Sequence, residues 1–208
     1  NAMPLDMVDT CLCMGAGLNI AQGVEKVEPD TTCFAFVGDS TFFASAITGV
    51  VNAVYNQANM VLIVLDNSTT AMTGHQPHPG TGQTVMGEIV QKINIEQVLR
   101  GIGVTEIETI NPLELEASVS CVKRMAEKTG VRAIIFKAPC IAVTKPKAPL
   151  HVDQDSCIGC KKCIRDLGCP AIVMNDGKIC IDASMCTGCR LCSQVCPVCA
   201  IAGGDDHE

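Results

Sequence analysis

Over the first two thirds of this 208-residue chain, continuous apolar runs alternate with stretches whose apolar residues recur at helical spacing. Thr32–Val37 is a short apolar run that ends at Gly38-Asp39-Ser40, and Met60–Leu65 is a second such run. Between them, Thr41–Gln57 carries Phe43, Ile47, Val50, Val51 and Val54 at the period of a helix face. Unbroken apolar runs flanking a helix predict strands buried on both faces, as in a βαβ unit with parallel strands. Further along, the pattern predicts a helix over Gly87–Arg100, a strand near Val104–Ile110, a helix over Pro112–Thr129 and a strand over Val131–Lys137. The sum is an α/β domain built on a parallel sheet, spanning residues 1–143. Its first two residues, Asn1-Ala2 before Met3, read as a remnant of tag removal and are set aside from the fold.

The pattern breaks at Thr144-Lys145-Pro146-Lys147-Ala148-Pro149, which has no periodicity and predicts a linker over residues 144–150. Beyond it, residues 151–208 are rich in Cys and Gly, with only short elements.

Composition sharpens this picture in three ways. Hydrophobic residues make up 48% of the chain while aromatics make up 3% and Trp is absent, which suits a layered α/β core of small and branched side chains. A formal net charge of −7 argues against nucleic acid as a partner, because phosphate binding needs clustered Lys and Arg. No apolar run approaches the roughly 20 residues that span a bilayer, and no signal segment opens the chain, so a soluble, cytoplasmic protein without membrane contact is expected.

The fifteen cysteines carry the strongest chemistry, and ten of them lie between Cys157 and Cys199. Such dense, short spacings suit metal thiolates in a reducing compartment better than a disulfide framework. Two half-repeats are visible. Cys186, Cys189, Cys192 and Cys196, followed by Pro197, follow the spacing C-x₂-C-x₂-C-x₃-C-P. Cys157, Cys160, Cys163 and Cys169, followed by Pro170, repeat it with five residues in place of three in the last gap. In this pattern three cysteines wrap one [4Fe–4S] cube and the fourth reaches across to the other. One cluster then takes Cys157, Cys160, Cys163 and Cys196, and the second takes Cys169, Cys186, Cys189 and Cys192. C-x₂-C pairs also hold zinc, but two near-identical runs each closed by Pro argue for a small α+β, bacterial-type two-cluster ferredoxin domain. The longer gap implies that the helix after the first run starts differently. Asp176-Gly177, between apolar neighbours, predicts a hairpin. Cys180 and Cys199 are read as buried structural thiols, and Cys11 and Cys13 as structural thiols too, since two cysteines alone close no cluster.

In the α/β domain, Gly38-Asp39-Ser40 and Asp66-Asn67-Ser68 each follow a strand, so a parallel sheet places both at its carboxyl edge, where such folds bind ligands. Asp39 and Asn67 can offer two oxygens to one hard cation, and Mg²⁺ completes its shell with phosphate oxygens and water. The helix start at Thr41 offers free N–H groups to an anion. Together these make a Mg²⁺–diphosphate site.

Gly38-Asp39-Ser40 followed 28 positions after Asp39 by the Asn of Asp66-Asn67 resembles the thiamine diphosphate motif. With two four-cysteine runs attached, the chain resembles the 2-oxoacid:ferredoxin oxidoreductases, and within them the large (alpha) subunit of the indolepyruvate-oxidising members. The stretches that carry the likeness are VDTCLCMGAG at 8–17, GDSTFF at 38–43, NAVYNQANMVLIVLDNSTTAMTGHQPHPGTG at 52–82 and the cysteine runs. The resemblance implies the C-terminal third of a longer subunit whose aminopyrimidine-binding domain lies ahead. It implies Mg²⁺ on Asp39, Asn67 and the backbone carbonyl of Thr69, and diphosphate near Gly38, Ser40 and Thr41. It places the Cys13-Met14-Gly15 turn beside the cofactor and Thr70 to Gln76 over it, with His75 as a candidate substrate-side donor; as loop histidines, His75 and His78 alike also read as merely solvated. It further implies an arylpyruvate substrate, coenzyme A, external ferredoxin and a beta subunit in a hetero-oligomer of anaerobic metabolism. Related oxidoreductases acting on pyruvate or branched-chain 2-oxo acids share every part, and an electron-transfer protein with a non-catalytic α/β domain would share the cysteines.

Overall fold

The structure, a computed structural model, describes residues 6–203; the tag remnant lies outside them. The chain divides into two compact units, one of Thr10–Thr144 and one of the residues from Lys145 on together with those before Thr10.

The first unit runs α1 (Ala16–Val27), β1 (Cys33–Gly38), α2 (Asp39–Thr41), a π-helical turn Phe42–Ala46, α3 (Ile47–Tyr55), β2 (Met60–Asp66), α4 (Ile95–Ile102), β3 (Glu106–Ile110), α5 (Leu115–Glu127) and β4 (Val131–Lys137). The four strands are parallel, in the order β1-β2-β4-β3. Because side chains alternate across a strand, β2 feeds both faces of the sheet. Met60, Leu62 and Val64 join Ala35 and Val37 of β1 under Leu18 and Ala21 of α1, Phe42 of the π turn, Val50 of α3 and Leu99 of α4. Val61 and Ile63 turn the other way and pack with Ile134 under Cys121 and Met125 of α5. The registers Gly38↔Leu65 and Asp66↔Lys137 bring the ends of β1 and β2 to one edge, so the loops after them leave the sheet side by side.

The parallel-sheet expectation thus holds, and three elements differ from it. The helix expected over Gly87–Arg100 begins only at Ile95, where Asn94 Oδ1 accepts the Gln97 N–H at 3.0 Å as an N-cap. The apolar residues before it, Ile89 and Val90, are exposed in a loop rather than lined along a helix. Helix α1 was not among the expected elements; it buries Leu18, Ala21 and Gln22, with Val24 packed on the same core. The helix expected over Thr41–Gln57 begins at Asp39 and contains the π turn.

The second unit runs β5 (Leu150–Val152), α6 (Lys162–Leu167), β6 (Ile172–Asn175), β7 (Lys178–Ile181), α7 (Leu191–Val195) and β8 (Ile201–Gly203). β5 pairs with β8 and β6 with β7, both antiparallel. The expected hairpin is present, its turn made by Asp176 and Gly177, both at positive φ. The stretch expected as linker contributes structure at its far end: Lys147 N–H donates to the Thr187 carbonyl and Leu150 opens β5.

Candidate cofactor and cysteine-cluster sites

Asp39 is the first helical residue after β1, and it is buried although charged. Its Oδ1 accepts the Ser40 N–H at 2.8 Å. Oδ2 accepts the Ser68 N–H, also at 2.8 Å, and lies 3.1 Å from His78 Nε2. A carboxylate has about four acceptor positions; three are taken by N–H groups, and one on Oδ1 is left for a cation. Burial, with Asp66 nearby, holds the Asp39 carboxyl above its ordinary range in spite of the donors around it. A carboxylate kept where its charge is costly is relieved by a bound cation, so this corner fits the ion that the sequence implies.

The neighbours converge as the sheet topology requires. Asn67 Oδ1 accepts the Thr69 N–H at 3.2 Å, Thr69 is buried, and Thr70 Oγ1 donates to Ser40 Oγ at 2.9 Å. The Cys13-Met14-Gly15 turn approaches from the start of α1: Ser45 Oγ donates to the Met14 carbonyl at 3.3 Å. Thus Asp39, Ser40, Thr69 and Thr70 share one edge, the Cys13–Gly15 turn packs on the helix that follows Asp39, and Asn67 lies one residue before Ser68, whose N–H Asp39 holds. His75 does not join them; it is exposed, at φ 62°.

Two features of this edge escape sequence reasoning. The π turn adds one residue to the helix, which suits a functional site, and lets successive residues serve different ends: Phe42 fills the core, Phe43 stacks on His78 and Ser45 holds Met14. His78, read as solvated, is buried against Asp39. Nothing in the spacing of 39 residues between them announces the contact.

Gly15 sits at φ +88°, and a Cβ there would fall 2.4 Å from Ser45 Oγ. Gly15→Ala is expected to cost about 1–2 kcal/mol in the left-handed backbone alone and to push the Ser45 hydroxyl off Met14. Denaturant unfolding of the α/β unit should show the loss, while iron content stays unchanged.

In the second unit the half-repeats share one backbone form. Gly159 and Lys161 in the first, and Gly188 and Arg190 in the second, are all left-handed, and a short helix starts directly after each basic residue. The two helices therefore start alike, contrary to expectation, and differ at their ends. α6 runs to Leu167 and is closed by Gly168 at φ 57°, which turns Cys169 back. The five-residue gap is absorbed there.

The buried thiols report their neighbours. Cys192 is pushed up to about 11, first by burial and then by Cys189, Cys169 and Cys186. Cys163 is raised by burial, with Cys160 and Cys196 adding to it. Each buried cysteine thus feels partners of the set that the crossing rule assigns to it. Cys157, Cys160, Cys163 and Cys196 line one cavity, walled by Val152, Ile158, Ile179, Val198 and Ile201. Backbone N–H groups point at two of the sulfurs, Ala200 at Cys196 Sγ (3.3 Å) and Leu150 at Cys186 Sγ (3.5 Å). Among the described residues no three His, Cys, Asp or Glu side chains converge on a point closely enough for a single ion; these thiols stand apart around a space. Cys180 is half-buried and Cys199 exposed, not the buried pair expected, and Cys11 and Cys13 are exposed as well.

A parallel sheet with a buried Asp, Asn and hydroxyl cluster at the carboxyl edge of its first two strands defines a class. The chain belongs to the thiamine pyrophosphate enzymes: residues 2–136 match the family's C-terminal TPP binding domain. Among curated proteins it is similar along nearly its whole length to indolepyruvate oxidoreductase subunit IorA. The identity to the Methanothermobacter thermautotrophicus protein is 41% over 200 residues, 95% of this chain and 32% of the relative. To that of Archaeoglobus fulgidus it is 39% over 204 residues, 95% of this chain and 33% of the relative. The chain thus spans about a third of the length of these relatives. Among solved structures, a 2-oxoglutarate:ferredoxin oxidoreductase from Magnetococcus marinus shares the fold, with a TM-score of 0.56 and 19% identity over 63% of this chain and 47% of that one. No helix among the described residues is long and apolar enough to cross a membrane.

Proposed function

We propose that this chain is part of a cytoplasmic, thiamine diphosphate-dependent 2-oxoacid:ferredoxin oxidoreductase whose substrate is an arylpyruvate such as indolepyruvate. The observation that carries the reading is the pairing, on one chain, of the buried Asp39 with its one open acceptor position and two sets of four thiols. A cation–diphosphate site alone would fit many lyases and transferases; thiol sets alone would fit an electron carrier. Their union calls for a reaction that cleaves a 2-oxo acid and releases electrons. The name of the relatives, indolepyruvate oxidoreductase, supports an arylpyruvate as the substrate.

Thiamine diphosphate, when bound, supplies the carbanion chemistry that cleaves 2-oxo acids, and iron–sulfur clusters, when bound, take electrons one at a time. Asp39, Asn67 and the Thr69 carbonyl would hold Mg²⁺, with Ser40, Thr41, Thr70 and the Cys13-Met14-Gly15 turn around the diphosphate. Cys157, Cys160, Cys163 and Cys196 would hold one cluster, and Cys169, Cys186, Cys189 and Cys192 the other, in a domain of the bacterial ferredoxin type. Coenzyme A receives the acyl group, ferredoxin collects the electrons, and a beta subunit completes the hetero-oligomer.

Anaerobically purified protein is expected to carry about eight iron and eight labile sulfide atoms per chain. Stoichiometric zinc in their place would overturn the cluster assignment. The intact complex should reduce ferredoxin with indolepyruvate and coenzyme A, and the chain by itself should not. A clear preference for pyruvate or a branched-chain 2-oxo acid would move the substrate class and leave the cofactors standing.

A further inference from the structure

The loop after the second strand returns to the sheet edge at His78, and the geometry there defines the state of the imidazole. Nδ1 accepts the Gly80 N–H at 3.1 Å. A backbone N–H only donates, so Nδ1 carries no proton and the ring's one proton is on Nε2. Nε2–H therefore donates to Asp39 Oδ2, 3.1 Å away. The ring is clamped in this pose. Phe43 lies beside it with centroids 5.8 Å apart and planes 30° from parallel. The turn is so tight that a Cβ on Gly80 would come within 3.0 Å of the imidazole and 3.1 Å of Phe43. Thr81 Oγ1 donates to the His78 carbonyl at 2.8 Å and fixes the backbone as well. The side chain is 4% exposed.

We infer that His78 is a positioning residue for the cation site: its Nε2–H locks the rotamer of the Asp39 carboxylate, so that the open acceptor position on Oδ1 faces the ion. The inference rests on the Mg²⁺–diphosphate reading proposed above. The Ser40 and Ser68 N–H groups hold one oxygen each, but both come from the chain segments that form the site. Among the described residues His78 is the one side chain that reaches the carboxylate from a third segment, and it ties the loop that ends at Thr81 to Asp39 Oδ2. This is the part that outer-shell hydrogen-bond partners play at metal sites, where losing one weakens metal binding about 10–100-fold.

Two variants separate positioning from mere packing. Asn reproduces the reach of Nδ1 and can keep the Gly80 turn, but it stops short of Asp39. Gln places an amide N–H where Nε2 was and loses the turn bond. In the intact enzyme complex, Mn²⁺ replaces Mg²⁺ as the probe, titrated in the presence of thiamine diphosphate with free Mn²⁺ followed by its paramagnetic resonance signal. His78→Asn is expected to weaken Mn²⁺ binding about 10–100-fold, and His78→Gln to recover most of it, both with unchanged iron content and melting temperature. If His78→Asn binds like wild type, or the two variants lose affinity equally, His78 only holds the loop and the inference fails. If the wild type itself takes up no Mn²⁺ with thiamine diphosphate, the cofactor reading falls and this inference with it.

Discussion

Asp39→Ala in the intact enzyme is expected to abolish measurable binding of thiamine diphosphate and Mg²⁺ together, a loss greater than the 10–100-fold typical of a residue one shell out. The substitution removes a buried carboxylate with an open acceptor position, and the diphosphate would then face a cation short of an anionic ligand. The hydrogen bonds that Asp39 accepts from Ser40, Ser68 and His78 go with it, so the edge loosens where the cofactor would sit. Asn67→Ala should act in the same direction but less strongly, because a neutral amide oxygen compensates less charge. Neither change touches a thiol, so both variants should retain full iron. Calorimetric titration of the cofactor with Mg²⁺, set beside iron analysis, gives the answer. Wild-type affinity in Asp39→Ala would make the Gly38-Asp39-Ser40 corner a structural turn.

Cys169→Ala is expected to remove about four of eight iron atoms per chain, since a [4Fe–4S] cube needs four thiolates. The informative result is which partner shares the loss. In the assignment proposed above Cys169 shares a cluster with Cys192, whose thiol it helps to push up, and not with Cys163, so Cys169→Ala with Cys192→Ala should lose no more iron than either alone. Cys169→Ala with Cys163→Ala should lose all of it. Substitutions at one site are non-additive, whereas those at independent sites add. The opposite pattern would mean that the longer first run keeps its fourth cysteine to itself. The α/β unit should unfold at its usual midpoint in every case, because no cysteine of these sets belongs to its core.

Much of this was legible in the residues because local physics dictated it. β2 is an unbroken apolar run up to Leu65 and β4 is one apart from the buried Arg132, and a parallel sheet covered on both sides buries such runs. The helix over residues 87–100 was misplaced because Ile89, Val90 and Ile93 imitate a helix face; the Asn94-x-x-Gln97 cap, a purely local signal, marks the true start. α1 was missed although Leu18, Ala21 and Val24 recur on its inner face; what only the fold shows is Gln22, whose amide donates to the Leu18 and Gly49 carbonyls and accepts from Asn52.

The sequence by itself determined the two kinds of chemistry. Cysteine spacing sets out two runs of four thiols, and a strand end followed by Asp or by Asp-Asn fixes what a sheet edge presents. Tertiary structure alone decided how those groups are held. α6, one residue longer than α7, ends at Leu167 and is closed by Gly168 just before Cys169. The π turn divides Phe42, Phe43 and Ser45 among the core, the His78 imidazole and the Cys13–Gly15 turn. It was also the fold that chose His78 over His75. Both lie in one loop of similar composition, and what separates them is which backbone conformation brings a ring nitrogen to a carboxylate 39 residues away. A contact between loops depends on the paths of both, and no periodicity or local propensity along a single segment encodes it.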